Sequence, residues 1–182
     1  MRRLVLAVGA VIAASLTVIG AVAVAANPTV VHFSDSGTFV DDDYCGTGET
    51  VNGTFDVKGT EWLTPNQADY RNTAQGKNTL TNPANGAKVI IHFAGPFTAT
   101  LVSENEDGGF TELQTFKGLP EQIKTAHGGV LLRDAGYVTF LRTFDENGDL
   151  VSSEVVVEKG PHPDLDSDFE AFCEVTVDAL GL

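Results

Sequence analysis

Basic charge is scarce in this 182-residue chain: 11 lysines and arginines stand against 25 aspartates and glutamates, a formal net charge of −14 at pH 7. Such a surface is repelled by nucleic-acid phosphates and by anionic lipid headgroups, so neither is an expected partner. Cysteine is nearly absent, with only Cys45 and Cys173. Two cysteines are too few for a disulfide-dense miniprotein. The four histidines, His32, His92, His127 and His162, are scattered singly and never fall at a metal-binding spacing. No nucleophile elbow, phosphate loop or dinucleotide fingerprint occurs. No metal and no cofactor is therefore expected, and no catalytic residue can be named.

Long apolar runs are also missing, save one. Met1-Arg2-Arg3 is followed by an uncharged stretch from Leu4 to Ala25, closing on Ala23-Val24-Ala25-Ala26 before Asn27-Pro28. Basic start, apolar middle and small-residue end have the form of a secretory signal over 1–26, with cleavage expected after Ala25 or Ala26. The run is also long enough to span a bilayer, so an uncleaved N-terminal membrane anchor is the alternative. A lipid-modified anchor would need cysteine at the cleavage point, and the first is Cys45. No later stretch is long and apolar enough to cross a membrane. Cleavage would remove Arg2 and Arg3 and leave the rest still more acidic, a coat suited to solubility.

Residues 27–182 are expected to form a single exported β domain, large enough to bury a core without metal or many disulfides. In an oxidising compartment an even pair of cysteines is expected to bond, and Cys45 and Cys173 have only each other. Two buried free thiols are the alternative. Short alternating runs cut by Gly, Asn, Asp and Pro dominate this stretch. Strands are predicted over Thr29–Val40, Glu49–Trp62, Ala87–Ala94, a run through Phe97, Ala99 and Leu101, and Phe110–Phe116. Val130–Arg133, Tyr137–Phe144 and Leu150–Glu158 read as a three-stranded meander, turning at Asp134-Ala135-Gly136 and at Asp145–Asp149. Thr64–Lys77 reads as an irregular connection. Ser167-Asp168-Phe169-Glu170 matches a capping box, so a helix is predicted from about Asp168 to Leu180. The fold class is all-β: an antiparallel up-and-down β-barrel of about eight strands, or a β-sandwich, with a short C-terminal helix.

Candidate chemistry is sparse. His92 lies between Ile91 and Phe93 and points away from the face they share. Asp164, Asp166 and Asp168 alternate as in a calcium loop, but Phe169 and Val175 occupy the positions where such a loop needs glycine and glutamate. Negative charge at a helix start explains them better. Trp62, Tyr70, Phe93, Tyr137 and Phe140 are the candidates for lining a ligand cavity, with ordinary core packing as the alternative for each.

Several short motifs resemble small exported β-rich proteins of high-GC Gram-positive bacteria. They are the Arg-Arg signal, Phe39 ahead of Tyr44-Cys45-Gly46, Thr79–Pro83 before Ala84–Lys88, Gly118, Ala135-Gly136 and the Phe172-Cys173 end. The resemblance implies an exported, barrel-like domain with a disulfide and carries no catalytic residue across. A closed barrel of this size can hold one small molecule, so the expected function is non-enzymatic binding of a small apolar ligand or a cell-surface partner. The alternatives are a barrel enzyme such as an isomerase or cyclase, or a purely structural or interaction protein.

Overall fold

Alternating apolar and polar residues punctuated by turn-forming glycines produce seven strands. The computed structural model describes residues 28–64 and 69–182, so the expected signal over 1–26 lies outside the described residues. The strands are β1 (Thr29–Asp41), β2 (Val51–Leu63), β3 (Asp69–Thr81), β4 (Lys88–Glu104), β5 (Phe110–Thr125), β6 (Val130–Phe144) and β7 (Leu150–Lys159). They form one antiparallel sheet in chain order, β1 to β7. A single helical turn spans Tyr44–Gly46, and α1 (Pro163–Asp166) and α2 (Glu170–Leu180) end the chain.

This corrects the strand map in three places. Thr64–Lys77 is not an irregular connection, because β3 already begins at Asp69. The runs through Ile91 and Phe97 are one 17-residue strand, β4. Asp134-Ala135-Gly136 is not a turn: β6 continues through it, with Gly136 at φ +138° absorbing a sharp bend that an L side chain rarely adopts. The expected three-stranded meander is therefore two strands, β6 and β7. The up-and-down antiparallel order is as expected, but the strands number seven. No ladder joins β1 to β7, so hydrogen-bonded closure into a barrel is not observed among the described residues. The apolar face is covered instead by α2, whose contacts fall on β4 and β6.

Direct register partners share a face, which allows the two faces to be traced. The inner face carries Val51, Leu80, Val89, Ile91, Ile123 and Leu132. Together with Tyr44 and Leu180 they form the core cluster against α2. His92 points to the opposite face and is half-buried, as its alternation predicts. Glycines open part of the inner face, and phenylalanines from neighbouring strands lie over them: Phe33 over Gly59, Phe39 over Gly53 and Phe93 over Gly76. In β5, a bulge between Gly118 and Glu121 accommodates Pro120, which cannot donate to a regular ladder.

The C-terminal segment is fastened by three kinds of contact. Cys45 and Cys173 form a disulfide with Cα atoms 5.7 Å apart, as the two-cysteine count predicts. The Tyr44 hydroxyl donates to Thr176 Oγ1 at 2.9 Å in a buried setting. Asn82 and Asn85, from the β3–β4 turn, both donate side-chain N–H groups to the Leu180 carbonyl, at 3.0 and 2.9 Å. These bonds satisfy a carbonyl that a helix end leaves without a partner. The helix starts later than the capping box predicts, at Glu170, because Asp168 and Phe169 take positive φ. Ser167 nevertheless accepts from the Ala171 N–H at 2.9 Å.

Candidate functional site

The inner face beyond α2 carries a row of aromatic rings. Strand alternation places Tyr70, Phe97, Phe116 and Phe140 there, one from each of β3, β4, β5 and β6. Their centroids are separated by 5.9 Å (Tyr70–Phe97), 4.7 Å (Phe97–Phe116) and 6.0 Å (Phe116–Phe140). Tilted and edge-on geometry at these distances is the favourable arrangement for ring quadrupoles. None of the four belongs to the cluster packed against α2. All four are half-buried.

Polar groups close both ends of the row. At one end the Tyr70 hydroxyl donates to Glu61 Oε1 at 2.5 Å and accepts from Asn72 Nδ2 at 3.0 Å. Burial, followed by the Glu61 carboxylate, pushes the Tyr70 phenol up to about 12. At the other end Arg142 lies 4.7 Å over the Phe140 ring and 6.0 Å from that of Phe116. Its Nη1 donates to Gln114 Oε1 at 2.7 Å, and Gln114 in turn donates to Glu112. Burial lowers the Arg142 pKa, with Glu112 opposing it, yet a guanidinium stays charged at any ordinary pH. The site is thus a strip of ring faces between a tyrosine–carboxylate pair and a half-buried cation.

The five sequence candidates divide sharply. Tyr70 and Phe140 are in the row. Phe93 shares the inner face but lies over Gly76 nearer the middle of the sheet. Trp62 and Tyr137 point to the outer face, where Arg71 sits 4.7 Å over the Trp62 ring and Lys117 lies 5.0 Å over that of Tyr137. Phe97, Phe116, Asn72, Gln114 and Arg142 were not among the candidates. The signal for Phe97 was present, since Phe97, Ala99 and Leu101 alternate. Register across four strands, which pairs Asn72 with Phe97 and Phe97 with Phe116, is not readable from one strand at a time.

Two open hollows of the sheet among the described residues, about 590 and 560 Å³, lie away from the row and are lined mainly by outer-face groups such as His32, Lys58, Gln75 and His92. Of the sequence candidates only Phe93 borders either one. Among the described residues no three His, Cys, Asp or Glu side chains are placed to hold a metal ion.

Fold and site together define an open, up-and-down antiparallel sheet that carries an aromatic strip and is fastened by a helix and one disulfide. No family model, no curated protein and no solved structure matches the chain.

Proposed function

We propose that this chain is an exported binding module whose inner sheet face takes a small, largely apolar ligand along Tyr70, Phe97, Phe116 and Phe140. The carrying observation is that these four rings continue across four strands and lie outside the cluster packed against α2. Aromatic lining with a small number of fixed polar groups is the usual composition of a ligand site. Arg142 and Gln114 would meet a polar or anionic end, and Glu61 with the Tyr70 hydroxyl a hydrogen-bonding one. The leader over 1–26 supports export. The disulfide is compatible with an extracellular location, and no described helix is long and apolar enough to cross a membrane.

The test is mass spectrometry of protein purified natively from its own host, paired with titration of an anilinonaphthalene sulfonate probe. An apolar molecule should copurify, and Phe116→Ala should weaken probe binding whereas Trp62→Ala should not. If nothing copurifies and fatty-acid and aromatic panels cause no shift, the binding reading fails. N-terminal sequencing of the secreted protein tests export separately, with Ala26 or Asn27 expected as the first residue.

A protein partner is the second reading, favoured by β1, which pairs on one side only among the described residues. That strand pairs with β2 over 13 residues without a register shift and exposes Val30, Val31, Phe39 and Val40. A long regular edge invites strand addition.

A further inference from the structure

Between the helix-packed core and the aromatic row, three carboxylates gather at the inner face: Glu121, Asp134 and Asp164. The β5 bulge sets Glu121 directly opposite Asp134 of β6. Asp164 of α1 lies above them, its backbone N–H directed at Asp134 Oδ1 across 3.4 Å. Asp164 is 0 % exposed and Asp134 8 %. Both carboxylate oxygens of Asp164 and Oε1 of Glu121 are buried and make no hydrogen bond of ordinary geometry. A buried carboxylate in that position takes up a proton, holds a cation or forces the segment apart. As placed, these side chains do not form a metal-ligand set. A proton held among them supplies the donor that these buried oxygens lack, as in other carboxyl pairs that cannot both ionise.

We propose that Glu121 and Asp164 share one proton as an acid–carboxylate pair that latches α1 onto β5 and β6, so that its loss at alkaline pH releases the α1 segment. Release stays local. β7 ends at Lys159 and the Cys45–Cys173 disulfide holds α2, so the freed stretch lies between those two anchors. The groups facing the pair strengthen the case. Asp134 on β6 adds negative charge to both, Glu158 on β7 and Asp166 on α1 add to the charge around Asp134, and Tyr44 from the helical turn lies close enough to feel Glu121. The Phe172 N–H of α2 favours an ionised Asp164, and His162, 2 % exposed, stands beside Asp134 with its Nε2 3.3 Å from the Lys159 carbonyl. Burial and then the neighbouring Asp164 and Asp134 charges push Glu121 up to about 8. Burial and then Asp134 push Asp164 up to about 6.

Both groups are raised above their unfolded values, so the folded state holds extra protons between about pH 4.5 and 8. The pair therefore carries two protons in mild acid, shares one between about pH 6 and 8, and lets the segment go as pH rises through about 8. Hydrogen exchange on the intact, disulfide-bonded protein reads this out, with rates corrected for the chemical dependence of exchange on pH. Between about pH 5 and pH 9, protection of residues 161–170 should fall roughly tenfold or more, while that of 174–180 holds. Glu121→Gln keeps a donor toward Asp164 but cannot titrate, so the loss of protection near pH 8 should be absent from it. Carbon-13 titration of the unaltered protein provides a check independent of any variant: one carboxyl should titrate above about pH 7. Absence of any such carboxyl overturns the proposal, as does an equal pH response in Glu121→Gln. Protection governed by added calcium or by a chelator instead of pH would also overturn it, because the cluster would then hold a cation.

Discussion

Opening the Cys45–Cys173 disulfide removes a covalent constraint that closes a long loop of the chain. The two residues are 128 positions apart. In the chain-entropy description, releasing a loop of that length stabilises the unfolded ensemble by about 5 kcal/mol at 25 °C. The native contacts of the helix do not vanish with the bond. Tyr44 still donates to Thr176, both asparagines still reach the Leu180 carbonyl, and Leu180 stays in the core. The expected loss is therefore that of the unfolded-state term, between about 2 and 5 kcal/mol, with α2 still docked. Urea unfolding of the oxidised protein and of the double variant Cys45→Ala/Cys173→Ala measures it, followed by both tyrosine fluorescence and far-ultraviolet circular dichroism. The midpoint should fall in the variant, and the native far-ultraviolet spectrum should not change. A midpoint that stays in place would refute the reasoning, since it would mean that the bond does not constrain the unfolded chain. Loss of helical signal before unfolding would refute it differently, by showing that the hydrogen bonds and Leu180 cannot hold α2 alone.

Three further outcomes follow from particular contacts. Leu180→Ala empties a fully buried site in the core and should cost about 3 kcal/mol in urea unfolding, with intact native circular dichroism below the transition. Gly95→Ala would drive a Cβ into the Lys117 carbonyl across β4 and β5, so a loss on the order of 1–3 kcal/mol is expected by the same measurement, whereas Gly86→Ala meets no atom but must adopt φ +75°. Global stability should decline from about pH 4.5 toward pH 8, because Glu121 and Asp164 bind protons more tightly folded than unfolded; thermal melts in a pH series check the sign.

The strands that alternate cleanly were legible in the sequence. Thr29–Val40 and Leu150–Glu158 differ from β1 and β7 by a residue at most at each end. Asp145–Asp149 is the hairpin tip its Asn-Gly pair predicts, with the Asp145 carboxylate accepting from the Asn147 and Asp149 N–H groups at 2.8 and 2.9 Å. β3 was hidden because its inner face reads Tyr70, Asn72, Ala74, Gly76 and Asn78, polar or small side chains that show no apolar period until Leu80. That composition has a packing reason, since Phe93 needs Gly76 beneath it and Asn72 bonds the Tyr70 hydroxyl. Gly136 misled in the opposite direction, because a glycine can bend a strand as readily as end it. Closure into a barrel is a property of the sheet edges, and no single strand encodes it.

The candidate site was half legible for the same reason. Tyr70 and Phe140 could be picked as aromatics in strands, but so could Trp62 and Tyr137, which face outward under Arg71 and Lys117. Sidedness came only with register. The acidic trio was invisible as a group, because Glu121, Asp134 and Asp164 lie on three different elements. Asp164 stands in the first turn of a helix, α1, as its reading as a helix start predicts, but its burial against Asp134 was not legible.

The central claim is that the inner aromatic strip, not the outer face, receives ligand. Two-dimensional NMR of aromatic side chains, recorded while a medium-chain fatty acid is added to the oxidised protein, tests it most directly. Shifts should concentrate on Tyr70, Phe97, Phe116 and Phe140, leave Trp62 and Tyr137 unmoved, and vanish in Phe116→Ala. Shifts confined to Trp62 and Tyr137, or none across apolar probes with anionic and neutral ends, would contradict it.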